Sequence, residues 1–212
     1  MKILAHRGWW RRESEKNSIY AFKRALDNGF GIETDLRDHN QEIVISHDCP
    51  GADVCFLDSF WTLYEGYKGL PLALNVKADG LQDKLESHAI TSQNAFYFDM
   101  SVPDTLGYLR RRMPVFSRYS EYEKEVSFLD ESIGVWVDRF TDGFFDEKAI
   151  GFFLRQDKCI ALVSPELHGY EYDNYWVELK YFLRTYPEFS KKILICTDVP
   201  MRASEFFYEY QD

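Results

Sequence analysis

Two histidines stand just after short apolar runs: His6 after Ile3-Leu4-Ala5, and His47 after Ile43-Val44-Ile45-Ser46. Imidazoles titrate near neutrality, so two that reach one pocket can act as base and acid in a single displacement. Glu33 and Asp35 flank Thr34 in the run Ile32 to Leu36. Positions i and i+2 of a strand project from one face, which brings the two carboxylates together. Like charges held that closely in an interior need a proton, a basic partner or a cation between them. A hard divalent ion such as Mg²⁺ or Ca²⁺ suits oxygen ligands. Pairing with Arg7 or Lys77 is the other solution. Those two cations also suit an anionic oxygen cluster such as phosphate, because a guanidinium can contact two oxygens at once.

Such residues need strands to carry them to one place. Apolar runs occur at Ile3–Ala5, Gly31–Leu36, Leu72–Val76, Ala95–Asp99, Pro114–Ser117, Gly134–Val137, Cys159–Val163 and Ile193–Cys196. Runs of this length without alternation fit strands covered on both faces, as in a parallel sheet. Amphipathic segments lie between them. Asn17 or Ser18 caps one that carries Phe22, Ala25 and Leu26 and stops at Gly29; Asp104 opens another with Leu106 and Leu109. Asp173 or Asn174 opens a third, with Trp176, Leu179, Phe182, Leu183 and Tyr186 on one face. Pro200 suits the first turn of the last, where Phe206, Phe207 and Tyr210 face inward. The alternating run Glu42–Ser46 follows the second strand too closely for a helix and reads as a short extra strand. Eight strands with helices after nearly all of them predict a single-domain α/β protein spanning residues 1–212, a (β/α)8 TIM barrel. Its 212 residues give about 26 per unit, near the minimum for that architecture. Chemistry in such a barrel sits where strands end. The polar residues there include Asp99, Arg118 with Glu121, Asp138, Glu166 with His168, and Thr197-Asp198. Trp136 and the loop residue Trp9 add aromatic surface that can line a pocket for a sugar or polyol, or simply pack.

The chain has 35 Asp and Glu against 25 Lys and Arg, a formal net charge of −10. That disfavours nucleic acid or an anionic membrane as partner, while a locally cationic site can still take an anionic substrate. With 45% apolar residues and no apolar run near the length of a membrane span, a soluble folded protein is expected. The first residues turn polar too soon for a secretory signal, so a cytoplasmic location and reduced cysteines are expected.

Leu4-Ala5-His6-Arg7-Gly8, then Asn17-Ser18-x-x-Ala21-Phe22-x-x-Ala25-Leu26-x-x-Gly29, then Ile32-Glu33-Thr34-Asp35-Leu36 and His47-Asp48 resemble the glycerophosphodiester phosphodiesterase family. That family belongs to the phospholipase C-like phosphodiesterases. The blocks cover residues 4 to 48 in the family's order. The resemblance implies a barrel, His6 and His47 as the acid–base pair, and Arg7 and Lys77 on phosphate. It also implies one divalent metal, Mg²⁺ or Ca²⁺, on Glu33 and Asp35, with Asn75 at the family's third acidic ligand. Asp99 and Glu166 are the candidates to compensate for that missing charge. The implied reaction is hydrolysis of a small glycerol- or sugar-linked phosphodiester; from their strand-end or loop positions, Trp9, Asp99, Arg118, Trp136, Glu166 and His168 are expected against the substrate. Two alternatives are a lyase that stops at a cyclic phosphate and a weakly active or non-catalytic phosphosugar-binding barrel. The short stretch after the second strand implies a reduced form of the insertion with which the family grips glycerol.

Overall fold

The computed structural model describes residues 1–51, 54–87 and 94–210. Its contacts divide the chain into two compact units, Leu4–Val115 and Phe116–Asp212 with Met1–Ile3. The first unit holds β1 (Lys2–His6, whose first residues group with the other unit), α1 (Ile19–Asp27) and β2 (Gly31–His39). It continues with β3 (Glu42–Ile45), β4 (Cys55–Phe56), α2 (Leu57–Tyr64), β5 (Leu72–Val76), α3 (Gln82–Ser87), β6 (Ala95–Phe98) and α4 (Val102–Arg110). Strands β1, β2, β5 and β6 pair in parallel in that order. The apolar runs are buried on both faces: every residue of β5 and β6 is buried, which is why they do not alternate.

Strand β2 runs three residues past its expected end, and that extension pairs with β3 in an antiparallel hairpin. The extra strand expected at Glu42–Ser46 is therefore present, and β4 adds to its other side. Ser18 caps α1, its Oγ accepting the Ala21 N–H at 3.3 Å, and the helix buries Ala21, Phe22, Ala25 and Leu26. Two expectations for α4 are corrected. Ser101 rather than Asp104 is its cap, accepting the Asp104 N–H, and the buried face is Thr105 and Tyr108 while Leu106 is exposed. Pro103 suits the first turn and moves the start three residues upstream.

The second unit holds β7 (Phe116–Tyr119), β8 (Gly134–Val137), α5 (Glu147–Arg155), β9 (Cys159–Val163), α6 (Asp173–Thr185), β10 (Ile193–Thr197) and α7 (Pro200–Phe206). Its four strands are parallel in chain order. Strand β7 lies two residues later than Pro114–Ser117, because polar Arg118 and Tyr119 pair with Trp136 and Val137. Residues 120–133 contain no α-helix, so helices follow seven of the eight parallel strands. Trp176, Leu179, Phe182 and Leu183 are buried on α6 as expected; of the last aromatics, Phe207 is buried and Phe206 and Tyr210 are half-buried. The order and direction of the strands are those of the (β/α)8 fold. No helix among the described residues is long and apolar enough to cross a membrane.

Candidate active site

Register assembles the first cluster. Parallel pairing sets His6 beside Glu33 and Asp35 beside Asn75, and with the i, i+2 spacing of Glu33 and Asp35 all four project from one face. His6 Nε2 lies 3.9 Å from Glu33 Oε2. Arg7 Nε lies 3.0 Å from Asp35 Oδ2, an ion pair whose angle does not make a hydrogen bond. Asn17 Nδ2 donates to the same Oδ2 at 2.8 Å. Lys77 Nζ stands 3.5 Å from Asp35 Oδ1 and 3.8 Å from Asp99 Oδ2.

Glu33, Asp35 and Asn75 are 2%, 1% and 7% exposed. Burial, with the Asp35 carboxylate beside it, pushes Glu33 up to about 7 against the pull of His6, Arg7 and Lys77. Two oxygens are left over, since Asp35 Oδ1 and Asn75 Oδ1 accept no hydrogen bond among the described residues. Buried acceptors of this kind are normally satisfied. Two carboxylates and an amide oxygen form the hard donor set a divalent cation takes, so these residues fit one. Among the described residues no three His, Cys, Asp or Glu side chains are grouped as a ready metal cage, and the third oxygen here belongs to an amide.

The turn after β1 is built for this placement. Arg7 and Gly8 have φ of 55° and 84°, the left-handed region that bulky residues adopt rarely. A Cβ on Gly8 would lie 2.8 Å from the Ala21 backbone carbon, so glycine alone lets the turn reach α1. Asn17 and Asp99 are also left-handed, at φ of 58° and 67°. A cavity of about 830 Å³ opens beside Arg7, Asn17, His47 and Asp48, with Lys16, Tyr20 and Phe56 among its walls. Asp48 Oδ1 engages His47 Nδ1 at 2.9 Å. Trp9 does not line this cavity; its ring packs edge-on against Phe30 at 5.9 Å.

In the second unit the expected residues pair among themselves. His168 Nε2 lies 2.7 Å from Asp138 Oδ1, and that hydrogen bond raises the imidazole above its usual range. Arg118 pairs with Glu123, and Arg139 with Asp142. Trp136 is buried, in register with Arg118. Glu166 accepts from Ser164 Oγ at 2.5 Å, from Thr197 Oγ1 and from the Asp198 N–H at 3.2 Å.

The sequence matches no protein-family model and no curated protein. Solved structures are similar over nearly their whole length. A protein of Galdieria sulphuraria assigned as a glycerophosphodiester phosphodiesterase superposes with TM-score 0.74 and 16% identity, covering 98% of this chain and 97% of that one. A glycerophosphodiester phosphodiesterase of Parabacteroides distasonis gives 0.70 and 15%, covering 99% and 98%. One from Thermotoga maritima gives 0.60 and 16%, covering 96% and 97%. This chain has the glycerophosphodiester phosphodiesterase fold.

On the glycerophosphodiester phosphodiesterase fold, as on any barrel, the reaction has to be argued from the site. His6, Arg7, Glu33, Asp35, Asn75, Lys77 and Asp99 are linked here through register or ion pairs, and the cavity joins Arg7 to His47. Two residues with roles at this site were not anticipated. Lys16 lines the cavity, a cation hidden beside the Asn17-Ser18 cap signal. Thr34 reaches Asn17 with its hydroxyl, and its only sequence signal is its place between two carboxylates.

Proposed function

We propose that the chain belongs to the glycerophosphodiester phosphodiesterase family and hydrolyses a small phosphodiester that carries hydroxyls on a glycerol or sugar part. The observation that carries this reading is the pair of unsatisfied buried oxygens on Asp35 and Asn75, beside Glu33 and ringed by His6, Arg7 and Lys77.

Glu33, Asp35 and Asn75 would hold one divalent cation, Mg²⁺ or Ca²⁺, which when bound supplies Lewis-acid polarisation of the phosphoryl oxygens. Arg7 and Lys77 neutralise the charge that builds on the non-bridging oxygens as the nucleophile attacks. One imidazole of the His6 and His47 pair takes the proton from the attacking hydroxyl or water. The other gives a proton to the leaving alcohol oxygen as the phosphorus–oxygen bond breaks. The Asp48 carboxylate fixes the His47 ring for that exchange.

The test is turnover of an aryl phosphodiester with Mg²⁺, Ca²⁺ or chelator, in the wild type and in His6→Ala and Glu33→Ala. Chelation and either substitution are expected to remove activity. Turnover that survives chelator, or is insensitive to both substitutions, overturns the reading.

A further inference from the structure

Thr34 sits between the two carboxylates on β2, fully buried, and its Oγ1 is 2.9 Å from Asn17 Oδ1. Asn17 Nδ2 donates to Asp35 Oδ2 at 2.8 Å, and its backbone N–H donates to the Arg7 carbonyl at 2.9 Å. Donor and acceptor chemistry fixes every orientation in this chain. An ionised carboxylate only accepts, so the Asn17 NH₂ faces Asp35, its carbonyl oxygen faces Thr34, and the Thr34 hydroxyl donates. Asp35 Oδ2 thereby has an amide donor and the nearby Arg7, while Oδ1, 3.5 Å from Lys77 Nζ, accepts no hydrogen bond.

We propose that Thr34 and Asn17 are positioning residues for the cation site, a relay that clamps one oxygen of Asp35 so that the other stays aimed as a ligand. The inference rests on the proposed cation site. Neither residue needs to touch substrate; both act through Asp35, and Asn17 ties the same carboxylate to the Arg7 turn. Partners behind a ligand commonly set metal affinity in this way.

The experiment is calorimetric titration of Mn²⁺ into the wild type, Thr34→Val and Thr34→Ser, with the Asn17 side-chain amide followed by ¹⁵N NMR in metal-free protein. Thr34→Val keeps the shape and loses the hydroxyl, and is expected to weaken Mn²⁺ binding about 10-fold. Thr34→Ser keeps the hydroxyl and is expected to bind as the wild type does. The Asn17 NH₂ signals should stay dispersed in the wild type and Thr34→Ser and collapse toward free-amide positions in Thr34→Val. Equal affinity in Thr34→Val and wild type overturns the relay alone, as does a Thr34→Ser as weak as Thr34→Val, which would mark packing. A wild type that binds no Mn²⁺, Mg²⁺ or Ca²⁺ overturns the functional reading and this inference with it. Thr34→Ala, which also lacks the hydroxyl, repeats the test if Thr34→Val does not fold.

Discussion

Asp35 on β2 and Glu166 just past β9 are both carboxylates among polar strand-end residues, one in each unit, and they differ in what their oxygens meet. Both oxygens of Glu166 are filled, by Ser164, by Thr197 and by the Asp198 N–H, so that it pins the end of β9 to the end of β10. Asp35 has one oxygen held by Asn17 and near Arg7, and one that lies 3.5 Å from Lys77 Nζ but accepts no hydrogen bond, in register with Asn75, whose Oδ1 also accepts none. A satisfied carboxylate is a brace. A buried one with open lone pairs is a place for a ligand, because folding alone does not recover the cost of drying it.

The largest expected effect separates the two. Asp35→Ala should lower kcat on an aryl phosphodiester by roughly 10³-fold while the protein stays folded, since charge stabilisation worth several kcal/mol is removed from the reacting phosphate. Steady-state kinetics beside a thermal melt would check it; comparable activity would erase the distinction. Glu166→Ala should do the reverse, costing about 1–3 kcal/mol of stability by stranding a hydroxyl or N–H donor. Denaturant unfolding reads that cost, and an unchanged midpoint would show that the brace carries nothing. Asn75→Glu sharpens the contrast by adding charge to the open set, and should tighten Mg²⁺ or Ca²⁺ binding by about 10-fold, as ligand charge count sets affinity. Weaker binding in a titration would mean the amide is there for shape.

The smallest effect concerns the second unit's own pair. His168 has its protonated form favoured by Asp138 in the folded state. Its contribution to stability is therefore fully present below the unfolded histidine pKa and is lost as pH rises through the raised folded value. Asp138→Asn should flatten that part of the stability-versus-pH curve. NMR titration of His168 should show its pKa fall, and an unmoved pKa would dismiss the pair.

Much of this was legible in the residues. The β5, β8 and β9 boundaries follow from mainly apolar runs, because strands covered on both faces carry few polar residues, Asn75 in β5 being one. Polar residues continue two strands beyond their apolar runs: β2 runs on through Arg37 to His39, and β7 through Arg118 and Tyr119. Helix α4 began upstream of its acidic residue because serine with a following proline makes the better start. Among site residues, the cluster of His6, Arg7, Glu33, Asp35 and Lys77 was readable because strand period and strand ends predict it. Strand ends also mark Arg118 and Glu166, and a loop marks Trp9, but residue type alone does not tell their partners: Trp9 packs on Phe30, Arg118 pairs with Glu123, and Glu166 accepts from Thr197.

What the sequence determined by itself is which chemistry is available: two imidazoles, two carboxylates on one strand face, and cations to meet an anion. Residue type and the two-residue period are local, so they survive reading without a structure. Only tertiary structure decided which of those groups are satisfied. Whether a carboxylate becomes a brace or a ligand depends on its donors, and Asn17 for Asp35 and Thr197 with the Asp198 N–H for Glu166 come from far along the chain.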